Sequence, residues 1–289
     1  MGDMVLSAFL FALMAAGAKV AGRHVPLQEI VFVRGVACTL MTWWMLRRAG
    51  APWRGTRPGL LALRGALGYV ALSCYFLSIA HLPLAQAVLI QQVHPVFTVV
   101  LAFLFLGEPP GGRFWPALAL AAAGVLLLVS PDPLEVRGDA WALVGIVGAF
   151  GSGAAYVAVR SAVRTEHPLT IILWFPAVSA VLSLPAMLAS GPVAPSAADW
   201  FWLGVVSLAG QLGQVYLTRG LSRVPAGRAT LANPMTIAFG AVLGWLGFGE
   251  GIGWNTLCGG LLVVAAVLLA RPGRAAASDS YGTPGAMAK

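Results

Sequence analysis

Ten apolar runs divide this chain, near 4–22, 27–46, 60–80, 84–105, 114–130, 140–163, 168–189, 200–221, 226–248 and 254–271. A helix needs about 20 apolar residues to cross the hydrocarbon layer of a bilayer, and shorter spans are possible. The segments between the runs, such as "RRAGAPWRGTRPG", "SPDPLEVRGD" and "SGPVAPSAAD", concentrate Gly, Pro and charge, the punctuation expected of turns. Composition agrees: 59% of residues are hydrophobic and 10% charged, where a soluble domain is nearer one quarter charged. The expected fold is an all-α polytopic membrane protein with ten transmembrane helices. The opening "MGDMVLSAFLFALMAAGAK" has the length of a signal peptide, but it carries Asp3 and no Lys or Arg ahead of its apolar stretch. It is read as a retained helix.

The net charge of +8 raises nucleic acid as a partner. The basic residues are thinly spread between apolar runs with no aromatic-basic pattern, so nucleic acid is not expected and the arginines read as belonging to membrane faces. With the N-terminus inside, one face collects Arg47, Arg48, Arg54, Arg57, Arg113, Arg160, Arg164, Arg219, Arg223, Arg271, Arg274 and Lys289. The other face holds Arg23 and Arg137, and Lys19, Arg34, Arg64 and Arg228 fall inside spans. That bias places both termini in the cytoplasm. Cys38, Cys74 and Cys258 are an odd number at long spacings and imply neither a disulfide framework nor a zinc site.

The chain also repeats itself. Pro26-Leu27 is answered by Pro168-Leu169, Pro83 by Pro225, and Gly107-Glu108 by Gly249-Glu250, always 142 residues apart (168 − 26, 225 − 83, 250 − 108). The shift lays spans 1–5 over spans 6–10 without a gap. Each copy has an odd number of spans, so the second is inserted upside down. Inverted repeats are a transporter architecture, with a site near the midplane between halves that exchange roles during alternating access. The expected organisation is a single membrane transport domain over 1–271 (repeat 1, 4–130; repeat 2, 140–271) and a disordered cytoplasmic tail over 272–289.

The segments "HLPLAQAVLIQQVHPVFTVVLAFLFLGEPPGGRFWPALALAAAGVLLL" and "RVPAGRATLANPMTIAFGAVLGWLGFGEGIGWNTLCGGLLVVAAVLLA" each resemble the end of an EamA-type repeat of the drug/metabolite transporter superfamily. Both have a Pro before the fourth span, a Pro within it, a Gly-Glu at its end and a Gly-bearing fifth span. Within that superfamily the chain looks most like YddG-type exporters of aromatic and other amino acids. The resemblance implies two inverted five-helix repeats around a central cavity, lined mainly by spans 1, 3, 4, 6, 8 and 9, with spans 5 and 10 peripheral. It also implies a bacterial-type inner membrane location, a small-molecule substrate such as an amino acid, and a monomer or weak homodimer. The copies differ in one respect: Pro95 lies thirteen residues before Glu108, but Pro234 lies sixteen before Glu250.

Polar side chains inside spans are costly against lipid and tend to face a cavity. In span 4, Gln91, His94 and Thr98 share one helix face near the midplane, and Pro95 cannot donate to the Gln91 carbonyl, which is thereby freed. Gln211, Gln214 and Thr218 repeat that spacing in span 8. The 142-residue shift places Asn233, just before Pro234, on Gln91. Carboxamides both donate and accept, so they suit a zwitterion; interhelical glue is the other reading. Tyr75 and Ser78 share a face of span 3, and Tyr156 follows "GIVGAFGSGAA" in span 6, where Gly145, Ala149 and Gly153 would admit a close neighbour. The expected substrate-binding set is Gln91, His94, Tyr75, Ser78, Tyr156, Gln211, Gln214 and Asn233, with Pro95 and Pro234 as hinges.

Among the charges, Arg64 and Lys19 lie near span ends and can snorkel, while Arg34 is deeper and needs a partner, with Glu29 available. Glu108 and Glu250 at helix ends suit capping. No Asp or Glu falls in the middle third of any span, which favours a facilitator over proton coupling; His94 is the midplane group suited to protons if they are coupled. His24, His81, His94 and His167 are scattered, and neither HExxH nor GxSxG occurs, so no catalytic residue, metal or cofactor is expected. A carrier of another metabolite class (drug, nucleotide sugar or sugar phosphate) is the alternative. An anionic substrate ranks behind because only Arg34 lies well inside a span.

Overall fold

In a computed structural model the described residues are 2–107, 113–129, 140–163, 165–223, 233–251 and 253–269. Their helices are α1 (Gly2–Ala21), α2 (Leu27–Ala49), α3 (Pro58–His81), α4 (Leu84–Gln91), α5 (His94–Leu106), α6 (Phe114–Val129), α7 (Ala140–Ala162), α8 (Pro168–Ala189), α9 (Ala197–Arg223), α10 (Asn233–Phe248) and α11 (Trp254–Leu269). No strand occurs among the described residues. Five spans, with α4 and α5 counted as one, are each long and apolar enough to cross a membrane. The chain is an all-α polytopic membrane protein.

The repeated punctuation has a physical basis. Pro168 opens α8, where a missing N–H costs nothing and the fixed φ suits a helix start. Gly107 and Gly249, one repeat apart, both adopt φ +66° and end α5 and α10 in the left-handed conformation that glycine adopts without a Cβ penalty. The Glu of the second Gly-Glu then folds back to other helices, as described below. Glu108 lies outside the described residues, as do Pro225 and the tail 272–289.

Span 4 departs from expectation. The sequence predicts one helix kinked at Pro95, but the helix tightens earlier, at Gln92–Val93. There the N–H groups of Gln92 and Val93 reach Leu89 and Ile90 three residues back, at 3.0 and 3.1 Å. Pro95 sits in the first turn of α5, where it is well tolerated. The change to three-residue bonding takes up the lost donor over a turn, so the break precedes the proline.

Contacts between helices are symmetric under exchange of halves. The shift of 142 residues turns α1 into α7, α2 into α8, α3 into α9, α4–α5 into α10 and α6 into α11. Under it the contact α3–α7 becomes α9–α1, α5–α7 becomes α10–α1, and α3–α8 becomes α9–α2; all of these are present. The pairs α2–α8 and α6–α11 map onto themselves. This is the pattern of two interlocked inverted repeats, with the fifth spans of both halves set against each other.

Small residues set the crossings. On α7, a Cβ at Gly148 would lie 3.2 Å from the Ala71 carbonyl, and one at Gly153 would lie 3.0 Å from the Thr98 amide. One helix thus approaches α3 on one side and α5 on the other at backbone distance. On α2 and α3, Gly35 meets the Ala180 amide at 2.9 Å and Gly65 meets the Trp174 carbonyl at 3.0 Å, again measured from a notional Cβ. Both helices are thereby pressed onto α8.

Candidate functional site

At the centre of the bundle is a cavity of about 410 Å³, within the size range of small-molecule sites. Its walls come from α1, α2, α3, α4, α5, α7, α8 and α9, and it extends to Val163 and Pro168, where α7 ends and α8 begins. The contribution of α2 and α8 was not expected. It follows from the close packing at Gly35 and Gly65, which brings Phe175 of α8 into the wall. Among the described residues, the second repeat's fourth span adds nothing to the lining.

Five of the eight sequence-selected residues meet on this wall: Gln91, His94, Tyr75, Tyr156 and Gln214. The freed carbonyl of Gln91 is taken up locally, accepting from His94 Nδ1 at 2.9 Å. A carbonyl cannot donate, so Nδ1 carries the proton and Nε2 of the neutral ring is left as an acceptor. The imidazole stacks on Tyr156 with centroids 5.0 Å apart and planes 20° apart. Thr98 Oγ1 donates to the His94 carbonyl at 2.9 Å. Gln91 Nε2 donates to Ser152 Oγ at 2.7 Å, while Gln91 Oε1 is buried without a donor.

Two of the remaining three lie elsewhere. Ser78 is fully buried behind the wall, where a Cβ on Gly145 would come within 2.9 Å of its hydroxyl. Gln211 donates to Thr42 Oγ1 at 3.0 Å and lines a small void beside the main cavity. The side chains of Asn233, Pro234 and Thr218 lie outside the described residues.

Sequence reasoning missed Arg64 and Phe175. Arg64 does not snorkel away: it lines the cavity, its guanidinium carbon 4.4 Å from the Phe175 ring centre. Arg34 approaches the same ring at 5.6 Å. Nor does Glu29 pair with Arg34; it accepts from the Val193 amide at 3.2 Å instead. The usable signal was the dipeptide Arg-Gly, present in both α2 and α3, whose glycines carry the arginines onto α8.

At the end of the bundle away from Val163, side chains tie the two repeats together. Lys19 Nζ pairs with Glu250 Oε1 and donates to the Leu82 carbonyl at 2.6 Å. Glu250 Oε2 accepts from the Leu84 amide at 2.7 Å, satisfying an orphan donor at the start of α4. Lys19 is thus anchored, not extended to the interface. At the opposite end Glu166 accepts from the Thr56 amide and hydroxyl and the Arg57 amide at 2.8, 2.7 and 2.6 Å. Desolvation raises the pKa of its carboxyl, but these bonds at the start of α3 outweigh it and hold the group below its ordinary value. Among the described residues no group of three or more His, Cys, Asp or Glu converges.

The EamA-like transporter family model matches residues 3–130 and again 139–271; the chain belongs to this family. It is 34% identical over 265 residues to the pseudopaline exporter CntI of Pseudomonas aeruginosa (strain UCBPP-PA14), covering 91% of this chain and 93% of that one. It is 27% identical over 222 residues to a riboflavin transporter of Rhizobium johnstonii, covering 76% and 70%. A solved crystal structure shares the fold with a TM-score of 0.61 at 18% identity, over 96% of this chain and 98% of its own.

Proposed function

We propose that this EamA-family transporter exports small metabolites, amino acids including aromatic and apolar ones, by alternating access through the central cavity. One observation carries the reading: the cavity extends toward the end of the bundle where α7 meets α8, while the other end is tied by Lys19, Glu250 and Leu84. The arginine bias makes the accessible end cytoplasmic, with both termini on that side of a bacterial-type inner membrane. A carrier resting in this state is loaded from inside the cell, as export requires. The likeness to a pseudopaline exporter supports the same direction. The fold operates as one transport domain over 1–271, and its two halves rock about the cavity.

Transport is facilitated: no acidic residue lines the cavity among the described residues. Gln91, His94, Tyr75, Tyr156 and Gln214 contact cargo, with Pro95 and Pro234 acting as hinges. Flux of a panel of amino acids, aromatic ones included, into liposomes holding the purified protein tests this, with and without a pH gradient. Flux independent of the gradient is expected; absence of flux for every amino acid would sink the reading. The second reading is a carrier of another metabolite class on the same fold. The observation favouring it is the arginine pair beside Phe175, which a neutral amino acid does not require.

A further inference from the structure

Arg34 and Arg64 put two guanidinium groups against one phenyl ring, in the interior of a membrane protein, with no carboxylate paired to either among the described residues. Arg34 is 4% exposed, and its Nε and Nη1 are buried without an acceptor, as is Nε of Arg64. The ring attracts the cations through its quadrupole, but it accepts none of these N–H bonds. A buried charge with unmade hydrogen bonds is destabilising, and two such charges close together add mutual repulsion. The fold nonetheless shapes a seat for them. A Cβ on Gly210 would lie 3.1 Å from Arg34 Nε, and one on Gly68 would lie 3.0 Å from Arg64 Nη1.

We propose that Arg34 and Arg64 form a carboxylate subsite in the transport cavity, and that the cargo is a small amino compound bearing two carboxylates, net negative in charge. This rests on the export reading and, within its amino-acid class, moves the preferred cargo from aromatic and apolar members to dicarboxylate ones. The planar fork of an arginine matches a carboxylate bidentately, so two forks on one wall match two carboxylates. A neutral zwitterion supplies one carboxylate and leaves the second guanidinium unmatched. The wall at Gln91 has the opposite character: the orphan Gln91 Oε1 is an acceptor, suited to an ammonium or amine N–H. The arginine donors and the Gln91 acceptor line the same cavity, so one molecule can engage both.

The test titrates the purified full-length protein with L-glutamate, L-2-aminoadipate, L-leucine, L-phenylalanine and inorganic phosphate, following the melting temperature, and then measures liposome flux of the same amino acids. The two dicarboxylates are expected to bind about tenfold more tightly than leucine or phenylalanine, a preference lost in Arg64→Gln and in Arg34→Gln. Arg64→Lys keeps the charge without the fork and is expected to fall between. If Arg34→Gln does not fold, the wild-type series and the half-buried Arg64 variants decide. Equal binding of neutral and dicarboxylate amino acids, or a preference that survives Arg64→Gln, overturns the subsite. Phosphate binding as tight as the dicarboxylates overturns its assignment to carboxylate. Dicarboxylate preference without any flux keeps the subsite and overturns export. Equal flux of leucine and glutamate keeps export and overturns the subsite.

Discussion

Gln91, His94 and Tyr156 show how far single residues can be read. Helical spacing alone put Gln91 and His94 on one face, and both line the cavity. The bond from the imidazole to the carbonyl three residues back followed from no spacing rule, because it depends on the side-chain rotamer and on the tightened turn. His94→Ala removes that bond and the stack on Tyr156, and flux through reconstituted protein is expected to fall about tenfold or more. An unchanged rate and selectivity would remove His94 from the pathway. Gly153 offers a separate test of packing: Gly153→Ala forces α7 off the Thr98 amide and His94 carbonyl. Overpacking of this kind costs about 1–3 kcal/mol, to be read as a lower melting temperature in detergent.

Among the elements, the fourth span was expected to kink at Pro95, and the helix is interrupted just before it, at Gln92–Val93. Pro95 lies in the first turn of α5 and the tightening lies upstream. The double variant Pro95→Ala/Pro234→Ala is expected to stiffen spans 4 and 9 and slow exchange; a folded double variant transporting at the full rate would remove the hinges from the mechanism. The loop before α3 is held by Glu166. Gly55, with φ +68°, passes so close to that carboxylate that a Cβ would sit 2.7 Å from Oε2, so only glycine serves. Because the carboxyl's folded pKa is lowered, its contribution to stability is complete above the ordinary glutamate value of about 4.3. The contribution is lost as pH falls through the depressed folded value. Melting curves over that acidic window are expected to show a smaller pH dependence in Glu166→Gln than in the parent. Identical dependence would dismiss the clasp.

For the molecule as a whole, the tie between Lys19, Glu250 and the start of α4 joins both halves at one end. Glu250→Gln weakens the charge pair and one strong acceptor together. A cysteine placed at Leu82, buried in the parent, is expected to label faster with a membrane-impermeant thiol reagent once Glu250 is changed. This is done in a background lacking Cys38, Cys74 and Cys258. Unaltered labelling would show that the tie does not hold that end closed.

The sequence by itself determined the all-helical membrane class, the number of spans and the two-fold internal repeat. These depend on the length of apolar runs and on landmarks at a constant separation, properties that survive without knowing how any helix is rotated. It also supplied the Gly-Glu motif, whose glycine stops a helix by a local backbone preference. Only the tertiary structure decided that Arg64 joins Arg34 on Phe175, that α2 and α8 help form the cavity, and that Ser78 is packed behind its wall. Those outcomes depend on helix rotation and crossing. Both are set by close approaches at Gly35, Gly65 and Gly148, between residues more than seventy positions apart in the chain, a separation at which local periodicity carries no information about contact.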